Sequence, residues 1–136
     1  MFAADNPHIP RLLSAAERDE HTLQFEVPSE IFGFHVQQAV EKLYKVLIAA
    51  HGEEFDFTHD LEKLGKQLSG LGERLPPMAL TQQQLTDYAV QQRYEDGPEL
   101  VPVVRDALRG DVVALREFVA GRQLELKAAG ILVVNP

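Results

Sequence analysis

Phe34-His35-Val36-Gln37-Gln38-Ala39-Val40-Glu41-Lys42-Leu43-Tyr44-Lys45 decides the fold. At 100° per residue, this stretch and its neighbours sort into two stripes. Phe32, Val36, Ala39, Val40, Leu43, Val46, Leu47 and Ala50 gather on one side. His35, Gln38, Lys42 and Lys45 run along the flank of that side at i, i+3, i+7 and i+10. An apolar face that wide belongs to a helix packed in a core. The polar row beside it is the first candidate site. Its bland alternative is a boundary row whose lysine stems cover apolar surface.

Outward from this helix the pattern stays helical. Toward the N-terminus, a helix is expected from Leu12 to about Phe25, with Leu12, Ala15, Ala16 and Leu23 inward. Pro28 stops it, and Ser29 is expected to cap the second helix, which runs to about His51 with Gly52 after its end. The loop Glu53-Glu54-Phe55-Asp56-Phe57 is expected to tuck both phenylalanines onto the core. Thr58 is read as the cap of a third helix, with Asp60 in its first turn and Leu61, Leu64, Leu68 and Leu71 as its stripe. Thr81 and Gln84 form a capping box, with Leu80 and Leu85 as staple, for a fourth helix ending near Arg93. Glu95-Asp96-Gly97-Pro98 ends that helix. Leu100 to Val104 is expected to be extended around Pro102, ahead of a fifth helix from Asp106 to about Lys127. The expected fold is an all-α, up-and-down bundle of about five helices. Residues 1–10 read as a leader, 11–128 as the bundle and 129–136 as an apolar tail. That tail (Ile131, Leu132, Val133, Val134) could pack on the domain, pair with a second chain or be disordered.

The totals narrow the function. A 136-residue chain that is 45% hydrophobic can bury a core as one domain. It has no cysteine, hence no disulfide and no thiolate metal site. No run reaches the length of a membrane span and no secretory signal opens the chain, so the expectation is a cytoplasmic protein. A net charge of −8 repels nucleic acid in bulk and confines phosphate contact to a local basic patch. His8, His21 and His51 lack metal-ligand spacing, and no metal or cofactor is expected. Phosphate-binding glycine loops and a nucleophile elbow are missing too. Tyr44, Tyr88 and Tyr94 are too scattered for a base-stacking platform. The acidic groups Glu53-Glu54 and Glu17-Arg18-Asp19-Glu20 read as solvated surface.

Three segments together resemble the HEPN domain family (higher eukaryotes and prokaryotes nucleotide-binding). Phe34 to Lys45 looks like the family's FHxQQAxEKxxK helix, Thr58-His59-Asp60-Leu61 like its THDL helix start, and Arg93-Tyr94-Glu95-Asp96 like its RYPD helix end, with Glu95 where proline is usual. The resemblance implies a helical bundle, commonly a homodimer. It also implies action beside a minimal nucleotidyltransferase, often as a toxin–antitoxin pair. One branch of the family cleaves RNA with an Arg, four to six residues, then His. Here the last histidine is His59, so Arg74, Arg93, Arg105, Arg109, Arg116 and Arg122 have none after them. Arg11 and Arg18 precede His21 with nine and two residues between.

The resemblance therefore leads to a non-catalytic accessory protein without a catalytic residue. Its candidate nucleotide- or partner-binding residues are His35, Gln38, Lys42, Lys45, His59, Asp60, Arg93 and Tyr94. The expected partners are a second copy, a minimal nucleotidyltransferase, and nucleotide or RNA. Two other readings stand beside it: a degenerate ribonuclease using His35 as acid or base, and a self-associating structural module.

Overall fold

The computed structural model describes residues 1–91 and 99–133. A 3-10 turn at Ala3–Asp5 leads into α1 (His8–Thr22), α2 (Ser29–Ala50), α3 (Leu61–Gly70), α4 (Gln82–Gln91) and α5 (Pro102–Ala128). No strand occurs among the described residues, where the one sheet-like contact is an antiparallel bridge between Phe2 and Leu132. The all-α bundle that the hydrophobic period predicts is the fold of this chain.

α2 is the axis, packing against α1, α3, α4 and α5. Its predicted apolar face, from Phe32 to Ala50, is fully buried at every position named above. The burial continues around the helix, because neighbours cover it on nearly all sides. Tyr44 lies in the core with its hydroxyl accepting from Gln82 Nε2 at 3.0 Å. Gly33 lets α4 come close: a Cβ there would stand 2.4 Å from the Tyr88 ring. Gly52, at φ +81°, supplies the left-handed residue after α2.

Several helix ends differ from the expectation. α1 begins at His8, not Leu12, and closes at Thr22, not Phe25. Pro10 is tolerated because it lies in the first turn, where no intrahelical amide is needed. This places Ile9 in the core. Ser29 is the first residue of α2 and makes no cap bond. Its hydroxyl instead accepts from Leu100 N at 2.8 Å and Arg105 Nη2 at 3.1 Å, joining the start of α2 to that of α5.

Asp60, not Thr58, caps α3, and its carboxylate accepts from the amides of Glu62 and Lys63. The α4 capping box forms as read: Gln84 N donates to Thr81 Oγ1 at 3.1 Å and Thr81 N to Gln84 Oε1 at 2.8 Å. Leu100–Val104 is not an extended crossing. Pro102 opens α5, where its fixed φ and missing N–H suit the first turn. The expected end of α4 near Arg93 and the stop at Glu95-Asp96-Gly97-Pro98 lie outside the described residues.

Residues 131–133 pack on their own domain. Ala3 N donates to Ile131 O at 2.8 Å and Val133 N to Met1 O at 3.3 Å, while Ile131 rests on the core. Phe55 also reaches the core, but Phe57 does not: it is 99% exposed.

Candidate functional site

The polar row on α2 is built around two buried carboxylates. Asp19, on α1, is only 6% exposed. It accepts from His35 Nδ1 at 2.8 Å and from Lys42 Nζ. The acidic stretch read as solvated surface is thus wrong at Asp19. Helical spacing carried the missed signal, since Asp19 falls in the α1 stripe three residues after Ala16 and four before Leu23.

Glu41, on α2, is the second centre. Its Oε1 accepts from Gln37 Nε2 at 3.0 Å and from His59 Nδ1 at 2.8 Å, and its Oε2 from Lys45 Nζ at 3.0 Å. Burial opposes the charge on Glu41, but the bonds from Gln37, His59 and Lys45 outweigh it and hold the pKa below the ordinary range. Gln37 Nε2 also donates to His59 O at 3.0 Å, and Gln38 Nε2 to Gln37 Oε1 at 2.7 Å. Lys45 Nζ sits 5.5 Å from the centre of the Phe55 ring.

Two carboxylate–histidine–lysine sets therefore lie side by side. One ties α1 to α2; the other ties α2 to the chain entering α3. The structure places His35 and Lys42 in the first set, and Gln38, Lys45 and His59 in the second. Asp60 stands beside them, with its carboxylate engaged by the α3 amides. Arg93 and Tyr94 lie outside the described residues, so the possible pairing of Arg93 with Glu41 does too. Each lysine of the face is matched by a carboxylate, so with neutral histidines the face carries no excess positive charge. Among the described residues, no buried side-chain nitrogen or oxygen lacks a hydrogen bond. No group of three or more His, Cys, Asp or Glu there could hold a metal ion.

A separate cleft of about 1030 Å³ runs between α1 and α5. Its floor is Leu13, Ala16 and Leu43, and Arg116 and Glu20 bridge its rim at 3.0 Å. None of the candidate residues lines it. Arg116 and Glu20 are spent on each other there, and size alone does not make the cleft the site.

A bundle organised on one buried helix, with a His-Gln-Lys-Lys flank and a His-Asp start to the third helix, defines a class of small all-α domains. The chain belongs to the HEPN domain family, whose model matches residues 11–117. Comparison with curated proteins and with solved structures finds no match. No helix among the described residues is long and apolar enough to cross a membrane.

Proposed function

We propose that this chain is a non-catalytic HEPN accessory protein. It works as a homodimer that binds a minimal nucleotidyltransferase, in the manner of a toxin–antitoxin pair. The proposed contact residues are His35, Gln38, Lys42, Lys45, His59 and Asp60, together with Arg93 and Tyr94. One observation carries this reading: Lys42 and Lys45 each sit on a buried carboxylate, Asp19 and Glu41. Lysines so neutralised make a poor phosphate cradle in a chain of net charge −8. They make a good rigid, directional polar surface for a protein. The missing Arg-to-His spacing agrees with a role without chemistry.

Co-purification with a co-expressed minimal nucleotidyltransferase, followed by titration calorimetry, tests the proposal. The wild type forms a stoichiometric complex, and Gln38→Arg, which adds bulk and charge to the half-exposed middle of the face, weakens it at least about tenfold. An unchanged affinity would remove this face from the account.

A second reading has one observation in its favour. Asp19 fixes the His35 ring through Nδ1, the arrangement that orients a general acid or base. RNA hydrolysis by the purified protein, lost in His35→Ala, would replace the accessory role with a degenerate ribonuclease.

A further inference from the structure

The loop between α2 and α3 holds a large apolar side chain in water on a backbone that is tied down. Phe57 is 99% exposed, the most exposed of the large apolar residues described. Mobility of the loop does not account for this. Gly52 N donates to Ala49 O at 2.9 Å, and Gln67 Nε2 holds Glu54 O at 2.9 Å. Thr58 N donates to Asp56 O at 2.9 Å, and Gln37 Nε2 holds His59 O at 3.0 Å. Phe55 is wedged onto the core and meets the Phe57 ring edge-on, with centroids 6.4 Å apart. The backbone on either side of Phe57 is therefore tied, so part of the loop's ordering entropy is already spent on folding.

The surroundings of Phe57 are acidic. Glu53, Glu54, Asp56, Asp60 and Glu62 are all exposed, and residues 53–62 contain no lysine or arginine. Lys63 touches the rim at 3.5 Å from Asp56. An apolar anchor ringed by acids is complementary to an apolar pocket ringed by bases. The same ring repels a second copy of this loop and repels nucleic acid.

We infer that residues 53–62 are a docking prong, in which Phe57 enters an apolar pocket flanked by lysine or arginine on a protein partner. The prong adjoins the His59–Glu41–Lys45 cluster, so it extends the candidate face and rests on the partner-binding reading of that face. That cluster then has a mechanical role, since Glu41 fixes the His59 end of the loop and so aims Phe57.

The test places the photo-cross-linking residue p-benzoylphenylalanine at position 57 of the full chain, and separately at exposed Leu124 as control. Both are irradiated in the cells the chain comes from. The prong predicts one dominant protein adduct from position 57, absent from 124, mapping to an apolar patch with Lys or Arg beside it. With that protein purified, Phe57→Ala raises Kd at least about tenfold while the helical circular dichroism stays unchanged. Glu54→Lys with Asp56→Lys slows association at low salt.

No adduct overturns the inference, as do adducts shared with position 124, an adduct to nucleic acid or a second copy, a site without basic flanks, or an unchanged Kd. The two proposals fail separately. If the cross-linked protein is not a nucleotidyltransferase, the accessory reading falls and the prong stands. If it is one, and Phe57→Ala binds it like the wild type, the prong falls and the accessory reading stands.

Discussion

Glu41 and Glu73 are the same device used in two ways. Each is a buried glutamate holding a histidine and a cation. Glu73 accepts from His51 at 2.6 Å and from Arg122 Nε at 2.9 and 3.0 Å, with its side chain 2% exposed. Those bonds join the end of α2, the segment after α3, and α5. Glu41 accepts from Gln37, His59 and Lys45, and its histidine is 68% exposed. Burial works against both charges, and the bonds outweigh it, leaving both pKa values low. The difference lies in where the histidine points. His51 is enclosed, so its cluster is a bolt between elements. His59 faces water, so its cluster ends in a surface that something else can read. Of these two sets, the one whose histidine reaches solvent belongs to the proposed contact face.

The largest effect that would break the comparison is on the bolt. Arg122→Met leaves Glu73 buried with His51 alone and lowers stability by about 3 kcal/mol in urea unfolding. Lys45→Met comes next at about 1–2 kcal/mol, because Gln37 and His59 still satisfy Glu41. An equal loss in the two variants would erase the distinction between bolt and surface. His59→Ala costs less than about 1 kcal/mol, since most of that ring is already in water. Partner affinity, read by calorimetry, falls far more than stability does.

Acid sharpens the comparison most gently. A depressed carboxylate pKa means the unfolded chain binds protons first. Each glutamate's contribution is complete above the ordinary 4.5 and is lost as pH falls through the lower native value. Wild-type stability therefore drops below that pH, and Glu41→Gln or Glu73→Gln makes the drop shallower in acid-titrated denaturation curves.

Much of the fold was legible because α2 and α3 announce themselves by period. Leu61, Leu64 and Leu68 are buried as their spacing demands, and the Thr81/Gln84 box forms. The errors came from residues with two possible uses. Ser29 looks like a cap, yet Arg105, distant in sequence, claims its hydroxyl. Pro102 looks like a breaker and acts as a starter, because proline breaks a helix only beyond the first turn. Of the candidate site, the α2 row was readable but the burial of its counter-charge Asp19 was not. Asp19 sits in an acidic stretch that reads as surface, and the packing of α1 on α2 turns it into a buried anchor.

The pairing of residues 1–3 with 131–133 brings two segments far apart in the chain within hydrogen-bond reach of each other. A linker of a few residues could join the two segments with little loop-closure entropy, and new ends could be opened at an exposed connection. A circular permutant cut after Gly72 would keep every helix whole. Its α2 clusters would survive, and the order in which the helices leave the ribosome would change. Such a rearranged chain would separate what the bundle owes to its packing from what it owes to the order of its synthesis.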